Sequence, residues 1–399
     1  MKVAIVHDWL VVTGGAEKVL QQIIDCYPNA DIFTLVDFLE DRTCLRNRPV
    51  KTSFIQKLPS ARKRYRSYLP LMPLAIEQFD LSGYDLVISS SYAVAKGVIT
   101  GPDQLHISYM HSPIRYAWDL QHQYLTEAGL SKGFKSVLAR GLLHYIRGWD
   151  ARSTNGVDHL IANSHFIGRR IKKAYRRDAT VIYPPVDVSA FSMRSQKEDF
   201  YVTASRMVPY KRIDMIVKAF SMTPERRLVV IGDGPDMHKV RAAAGPNITI
   251  LGYQSFEVLR DHLQRARAFV YAAEEDFGIS IIEAQACGTP VITYGRGGAL
   301  ETVIGIPRER PTGVFFKDQT PASLNEAVTR FERNLHAFDP RVCRENAERF
   351  SSEIFKASLT SFVEMRVARF QSEAAVDRRP MHHELAVHEN AVASVEPLE

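Results

Sequence analysis

Apolar positions along the chain fall into short runs rich in β-branched residues, separated by stretches with helical spacing. In the first half the runs at residues 2–7, 31–36, 84–89, 104–109, 159–162 and 180–183 predict strands. In the second half the runs at 200–204, 227–231, 247–251, 268–271, 290–293 and 313–316 do the same. Residues 212–220, 255–264 and 321–333 carry helical patterns between them. Strand–helix alternation with short, near-continuously apolar strands predicts an α/β protein whose parallel sheets are covered on both faces. The pattern occurs twice, and the rhythm breaks from Tyr183-Pro-Pro-Val-Asp187 to Glu198. We therefore expect two doubly wound, Rossmann-like domains, residues 1–186 and 187–346, facing each other across a cleft. Ligands of such sheets sit beyond the carboxyl ends of the strands. Residues 347–370 read as one long amphipathic helix, and the polar segment 371–399, with Pro380 and Pro397, reads as a disordered tail.

Length agrees with two domains, since 399 residues exceed one ordinary core. A composition of 45% hydrophobic and 24% charged residues is that of a soluble globular protein. No apolar run approaches twenty residues and no charged-then-apolar leader follows Met1, so neither a membrane span nor a signal peptide is expected. Cys26, Cys44, Cys287 and Cys343 are scattered without CxxC spacing. That predicts reduced thiols in a cytoplasmic protein and argues against a disulfide framework or a zinc site.

Charge changes the picture more. The net charge of +6 is uneven: from Arg42 to Ile76 stand nine basic residues and no acidic one, interleaved with Phe54, Leu58, Tyr65, Tyr68 and Leu69. An anionic membrane surface, a pyrophosphate-bearing substrate or nucleic acid could answer to such a stretch, as could plain solvation. No nucleic-acid recognition motif accompanies it, so nucleic acid is not an expected partner.

Candidate chemistry lies at the carboxyl ends of the expected strands. The first strand ends in His7-Asp8-Trp9, and Thr13-Gly14-Gly15-Ala16-Glu17 then opens a helix. Glycines there let backbone N–H groups approach an anion at a helix N-terminus, although a lone Gly-Gly also serves tight turns. The strand at 200–204 runs into Ser205-Arg206-Met-Val-Pro-Tyr-Lys211, which sets two cations five residues apart. A diphosphate suits such a pair, the Arg as a fork and the Lys as a point charge. The turn Gly232-Asp-Gly234-Pro235 is explained by local structure alone, and it lacks the full GxGxxG spacing of a dehydrogenase. Next come Glu274-Glu275-Asp276-Phe277-Gly278-Ile279 and Glu283-Ala-Gln-Ala-Cys287-Gly-Thr-Pro290. Glu275 is expected in a loop at a helix mouth and Glu283 inside the helix, one carboxylate for each end of a polyhydroxylated ligand.

These residues resemble the family 4 retaining glycosyltransferases of the GT-B fold. Their Glu-x7-Glu motif and EAxAxGxPV turn stand here as Glu275…Glu283 and Glu283–Val291. The resemblance extends over nearly the whole chain, through Gly14–Glu17, Arg206 with Lys211, and Gly232 to Gly234. It implies that Glu275 grips donor-sugar hydroxyls, that N–H groups of Phe277, Gly278 and Ile279 hold sugar and phosphate, and that Glu283 binds the ribose. Arg206 and Lys211 would neutralise the diphosphate, and His111, in His111-Ser-Pro-Ile-Arg115-Tyr-Ala-Trp118, would stand by the donor sugar. His7, Asp8 and Arg115 are candidates for the acceptor side. The family uses no metal or other cofactor, and no Asp-x-Asp stands in this sequence.

A nearer resemblance, through His-Asp-Trp…Gly-Gly-Ala-Glu and His-Ser-Pro-x-Arg-Tyr-Ala-Trp-Asp, is to bacterial O-antigen and exopolysaccharide mannosyltransferases. It implies a GDP-mannose donor and a glycan acceptor carried on lipid pyrophosphate. It also implies a cytoplasmic protein held peripherally at the anionic inner membrane through the stretch Arg42 to Arg66. A UDP-sugar transferase, a nucleotide-sugar epimerase and a non-catalytic nucleotide-sugar-binding protein are the alternatives.

Overall fold

The computed structural model describes residues 1–377. The first sheet has seven parallel strands: β1 (Val3–His7), β2 (Asp31–Thr34), β3 (Val50–Thr52), β4 (Leu86–Ser91), β5 (Leu105–Met110), β6 (His159–Ala162) and β7 (Thr180–Val181). They lie in the order β3-β2-β1-β4-β5-β6-β7. The second sheet has six parallel strands, β8 (Tyr201–Ala204), β9 (Leu228–Ile231), β10 (Ile248–Gly252), β11 (Ala268–Tyr271), β12 (Val291–Tyr294) and β13 (Gly313–Phe316), ordered β10-β9-β8-β11-β12-β13. In each sheet the winding reverses at one point, between β1 and β4 and between β8 and β11. A crevice opens there at the carboxyl ends. This is the two-sheet, doubly wound architecture of GT-B proteins.

Burial explains why the strands read as continuous apolar runs. On one face of the second sheet Val202, Phe269 and Val291 pack with Ile281, Ile282 and Phe350. On the other, Val230, Val270, Ile292 and Val314 pack with Ile216, Phe220, Val328 and Phe331. Neither face meets water, so no in–out alternation survives in the sequence.

Three elements differ from expectation. Strand β3 lies inside the basic stretch, and the helix Phe134–Ser153 was not anticipated. The expected helix 347–370 is broken: Pro340–Glu348 ends and Ser352–Asp377 begins afresh. The interruption is tied to the rest of the chain, because Val186 N–H donates to Phe350 O at 2.9 Å and Val186 pairs with Ser351 as an isolated bridge. Buried Phe350 is thereby fixed, and Ser351 Oγ accepts the Ile354 N–H of the next helix at 3.4 Å. Within the unit Met1–Leu359 the new helix returns to the first sheet, its Phe355 ring meeting Tyr109 of β5 edge to face at 5.7 Å. Residues 360–377 are the remaining helical turns. Of the tail expected from 371, residues 371–377 are therefore helical, and 378–399 lie outside the described residues.

Candidate functional site

A cleft of about 750 Å³ opens between the carboxyl ends of the two sheets. From the first sheet it is lined by Gly14 and Gly15 after β1, Tyr92 after β4, and His111 and Arg115 after β5. From the second it is lined by Lys211 after β8 and by Glu275 to Ser280 and Glu283 after β11. The winding reversals of both sheets thus meet in one space.

Glu275 is the most constrained residue there. Lys211 Nζ donates to its Oε1, as does Tyr271 O–H at 3.0 Å, and Lys211 also reaches the Tyr271 oxygen at 2.6 Å. Burial alone would raise the Glu275 carboxyl, but the Lys211 and Arg115 cations outweigh it and hold the group below its ordinary range. The loop is backed by a glycine pair that sequence reasoning missed. Gly298 N–H donates to Glu275 O at 2.7 Å, and Gly297 has φ +65° with room for no Cβ, which would stand 2.3 Å from Glu275 O. The available signal was the run Gly295-Arg-Gly-Gly298 after β12.

Beyond Glu275 the chain turns through Gly278, at φ +93°, into the helix Ile279–Ala286. Glu283 on that helix faces the cleft and pairs with Lys18 of the opposite half at 3.1 Å. Gly15 approaches from the same side, where an added Cβ would lie 3.0 Å from Ile279 Cδ1. Asp276, also in the lining, is held by other partners. It is clasped by Arg115 and, at 3.2 Å, by Arg170, while its carbonyl accepts Ser164 Oγ at 2.6 Å. Arg115, a candidate for the acceptor side, lines the cleft and also ties the first half onto the Glu275 loop.

His111 lines the cleft with its Nε2 on Ser90 Oγ at 2.8 Å, and burial beside His7 and Arg115 pushes its pKa down to about 3. The other candidates are placed less directly. His7 is fully buried behind Ser90, 3.1 Å from its Oγ. Asp8 does not reach the cleft: its buried carboxylate accepts the N–H groups of Tyr92, Ala93, Val94 and Ala95 at 2.6–2.9 Å, which closes the turn after β4. Gly232 and Gly234 also stand outside the lining. Their φ of +127° and +155° fit the turn closely against the Ser205–Met207 backbone, where Cβ atoms would come within 2.0 and 2.4 Å of carbonyl oxygens. Arg206 is exposed and outside the lining, though its charge is felt by the Tyr65 phenol of the other half. Arg66, the last cation of the basic stretch, is exposed and lines the cleft.

Two adjoining family profiles match the chain: Glycosyltransferase Family 4 over residues 13–190 and Glycosyl transferases group 1 over residues 189–350. The chain is 31% identical over 178 residues to a Corynebacterium glutamicum protein named GDP-mannose-dependent monoacylated alpha-(1-6)-phosphatidylinositol monomannoside mannosyltransferase, a match covering 37% of this chain and 47% of that one. It is 29% identical over 145 residues to the O-antigen chain mannosyltransferase of Salmonella typhimurium, covering 34% of this chain and 41% of that one. The chain thus spans about half the length, or less, of these curated relatives. Among solved structures, Anabaena HepE in complex with UDP superposes with a TM-score of 0.67 at 17% identity, covering 92% of this chain and 100% of that one. That likeness concerns the fold. Both profiles, the strand orders and the Glu275–Glu283 loop agree, and the chain belongs to the family 4, group 1 glycosyltransferases of the GT-B fold.

Proposed function

We propose that the protein is a retaining glycosyltransferase that moves a hexose, with mannose from GDP-mannose as the preferred reading, onto a lipid-linked glycan in α-linkage. The observation that carries this is the convergence of Glu275, Lys211, Glu283, the Gly14–Gly15 loop and His111 on one cleft. In this reading Glu275, kept ionised by Lys211, accepts hydroxyls of the donor sugar, and Glu283 accepts those of the ribose. The N–H groups of Phe277 to Ile279 and the Lys211 cation stabilise the departing diphosphate, an electrostatic contribution that grows as the leaving charge develops. The acceptor oxygen bonds to the anomeric carbon on the face from which the phosphate oxygen departs, and the acceptor proton passes to that phosphate. No protein nucleophile is used.

The two relatives named as mannosyltransferases, one of them for GDP-mannose, support the donor choice. A thermal-shift panel of nucleotide diphosphates and their sugars tests it, because a bound donor raises the melting temperature by mass action. GDP-mannose is expected to stabilise the protein most. Stabilisation by UDP-sugars alone would replace the donor and leave the enzyme class intact. Donor conversion without an acceptor would instead indicate an epimerase, and binding with neither transfer nor hydrolysis a non-catalytic binder.

The lipid-linked acceptor places the enzyme at the inner face of an anionic membrane. Among the described residues no helix is long and apolar enough to cross one, so contact would be peripheral. Of the stretch Arg42 to Arg66, Arg42 pairs with Asp37, Arg46 with Asp25 and Arg62 with Glu40. Lys63 and Arg64 remain exposed. Leu69, just beyond them, packs with Leu142 and Ile146 of the helix Phe134–Ser153, which exposes Phe134, Val137, Leu138 and Tyr145. Apolar side chains beside basic ones suit a headgroup interface. Charge reversal at Lys63 and Arg64 is expected to reduce flotation with anionic liposomes, and flotation indifferent to lipid charge would remove the membrane contact.

A further inference from the structure

Behind the cleft lies a buried row of polar groups that the proposed chemistry does not use. His7 and Ser90 are register partners on β1 and β4, and His111 N–H donates to Ser91 O at 2.8 Å as the chain leaves β5. This brings His7 Nδ1 to 3.1 Å from Ser90 Oγ, and Ser90 Oγ to 2.8 Å from His111 Nε2. At the inner end Glu17 Oε1 stands 3.5 Å from His7 Nε2, which has no hydrogen-bond partner among the described residues. His7 and Ser90 are fully buried and Glu17 is 5% exposed. Tyr92 covers the row, its ring edge to face with both His7 and His111 at 5.8 Å.

The row has a direction. A carboxylate can only accept, so the His7 proton belongs on Nε2, facing Glu17. His7 Nδ1 then carries the lone pair, and Ser90 must donate its single O–H there. Ser90 oxygen is left as the acceptor for His111, which therefore carries its proton on Nε2. Nδ1 of His111 remains as the nitrogen with a lone pair and no hydrogen-bond partner among the described residues. Because burial keeps this ring neutral at ordinary pH, its tautomer and not its charge is what the row can set.

We propose that Glu17, His7 and Ser90 are positioning residues that hold His111 as the Nε2–H tautomer and present its Nδ1 lone pair to a sugar hydroxyl in the cleft. This rests on the reading of the cleft as a donor-sugar site. Glu17 has a second duty that joins it to the same site. Its Oε2 accepts Gly14 N–H at 2.8 Å and caps the helix Gly15–Cys26, so one carboxylate sets both the glycine loop and the histidine row. Capping alone needs one oxygen, and the other is aimed at His7.

Two-bond proton–nitrogen NMR on full-length protein labelled with [15N]histidine reads the tautomer directly, with His111→Gln supplying the assignment. Wild type is expected to show His111 protonated on Nε2. Ser90→Ala should give a mixture of tautomers, Ser90→Thr should restore the wild-type state, and Glu17→Gln should weaken it. If Glu17→Gln fails to fold, the two Ser90 variants still decide. A wild-type His111 protonated on Nδ1, or one whose tautomer ignores Ser90→Ala, overturns the proposal.

With the donor found by thermal shift, Ser90→Ala should lower kcat about ten- to a hundredfold, as loss of an outer hydrogen-bond partner does elsewhere. KM should change little. If no nucleotide sugar binds wild type, the donor-site reading falls while the NMR result still stands. Should the donor bind and Ser90→Ala turn over at the wild-type rate, the positioning role falls alone.

Discussion

Lys211, with Arg115 behind it, holds Glu275 ionised. Without that ammonium, burial would dominate and the carboxyl would rise, so Lys211→Met is expected to cost roughly 2–4 kcal/mol at pH 7, moderated by the remaining Tyr271 hydrogen bond. The pH dependence has a definite sign. In wild type the folded carboxyl lies below its ordinary value of 4.5, so its contribution is present above that pH and is lost on acidification. In the variant the order reverses, and the stability gap should narrow as pH falls from 7 toward 4.5 in urea titrations. A gap that stays constant would mean that Lys211 does not control this group. His106 and His111 act through the opposite protonation. Burial pushes them from 6.5 down to about 4 and about 3, so the unfolded chain binds protons that the fold rejects, and stability declines below pH 6.5. His106→Gln is expected to make that acid limb shallower. The carboxylates and cations themselves were legible in the sequence by type and spacing. The partners that give them a state were not, since Tyr271 and Ser90 carry no motif.

The Glu275 loop is an element held in place by a second element. Gly297 and Gly298 follow β12, and they let the backbone pass against Glu275 and Phe277 where a Cβ would collide with main chain. Gly297→Ala is expected to cost about 1–3 kcal/mol through the left-handed φ and the clash together. It should also weaken donor binding, because Glu275 and the N–H groups of Phe277 to Ile279 would shift together. Unchanged donor affinity in calorimetry would show that the loop keeps its position unaided. Most strands were visible as apolar runs because both faces are buried. Strand β3 was not, since it is a three-residue edge strand carrying Lys51 in a charged stretch. The helix Phe134–Ser153 escaped for another reason. It contains Gly141 and Gly148 and exposes Phe134, Val137, Leu138 and Tyr145, so its apolar residues do not trace a single core-facing stripe.

Across the whole of Met1–Leu359 the two halves are tied around the cleft by side chains far apart in sequence. Arg115 and Arg170 hold Asp276, Lys18 holds Glu283, and the Glu301 carboxylate accepts the N–H groups of His165 and Phe166 at 2.8 Å each. The last contact caps the helix His165–Tyr175 from the opposite half, together with its own Ser164. Glu301→Ala is expected to lose about 1–2 kcal/mol, the usual cost of a missing cap. Amide exchange should rise both at 164–167 and at the 275–279 loop, since Ser164 is bonded to Asp276. A rise confined to the helix would show that the cap acts only locally.

The sequence by itself determined the two doubly wound sheets and the family, and it singled out Glu275, Glu283, Lys211 and His111, which line one cleft. All of these are written in periodicity or in motifs spanning a few residues. Tertiary structure decided which candidates share a space. It turned Asp8 inward onto four amides, paired the cleft residue Arg115 with Asp276, and brought Arg66 and Lys18 to the cleft. The reason is separation along the chain. Lys18 meets Glu283 across 265 positions, and His7 meets Ser90 across 83. Such meetings depend on strand order and on how the halves close, and spacing along the chain encodes neither.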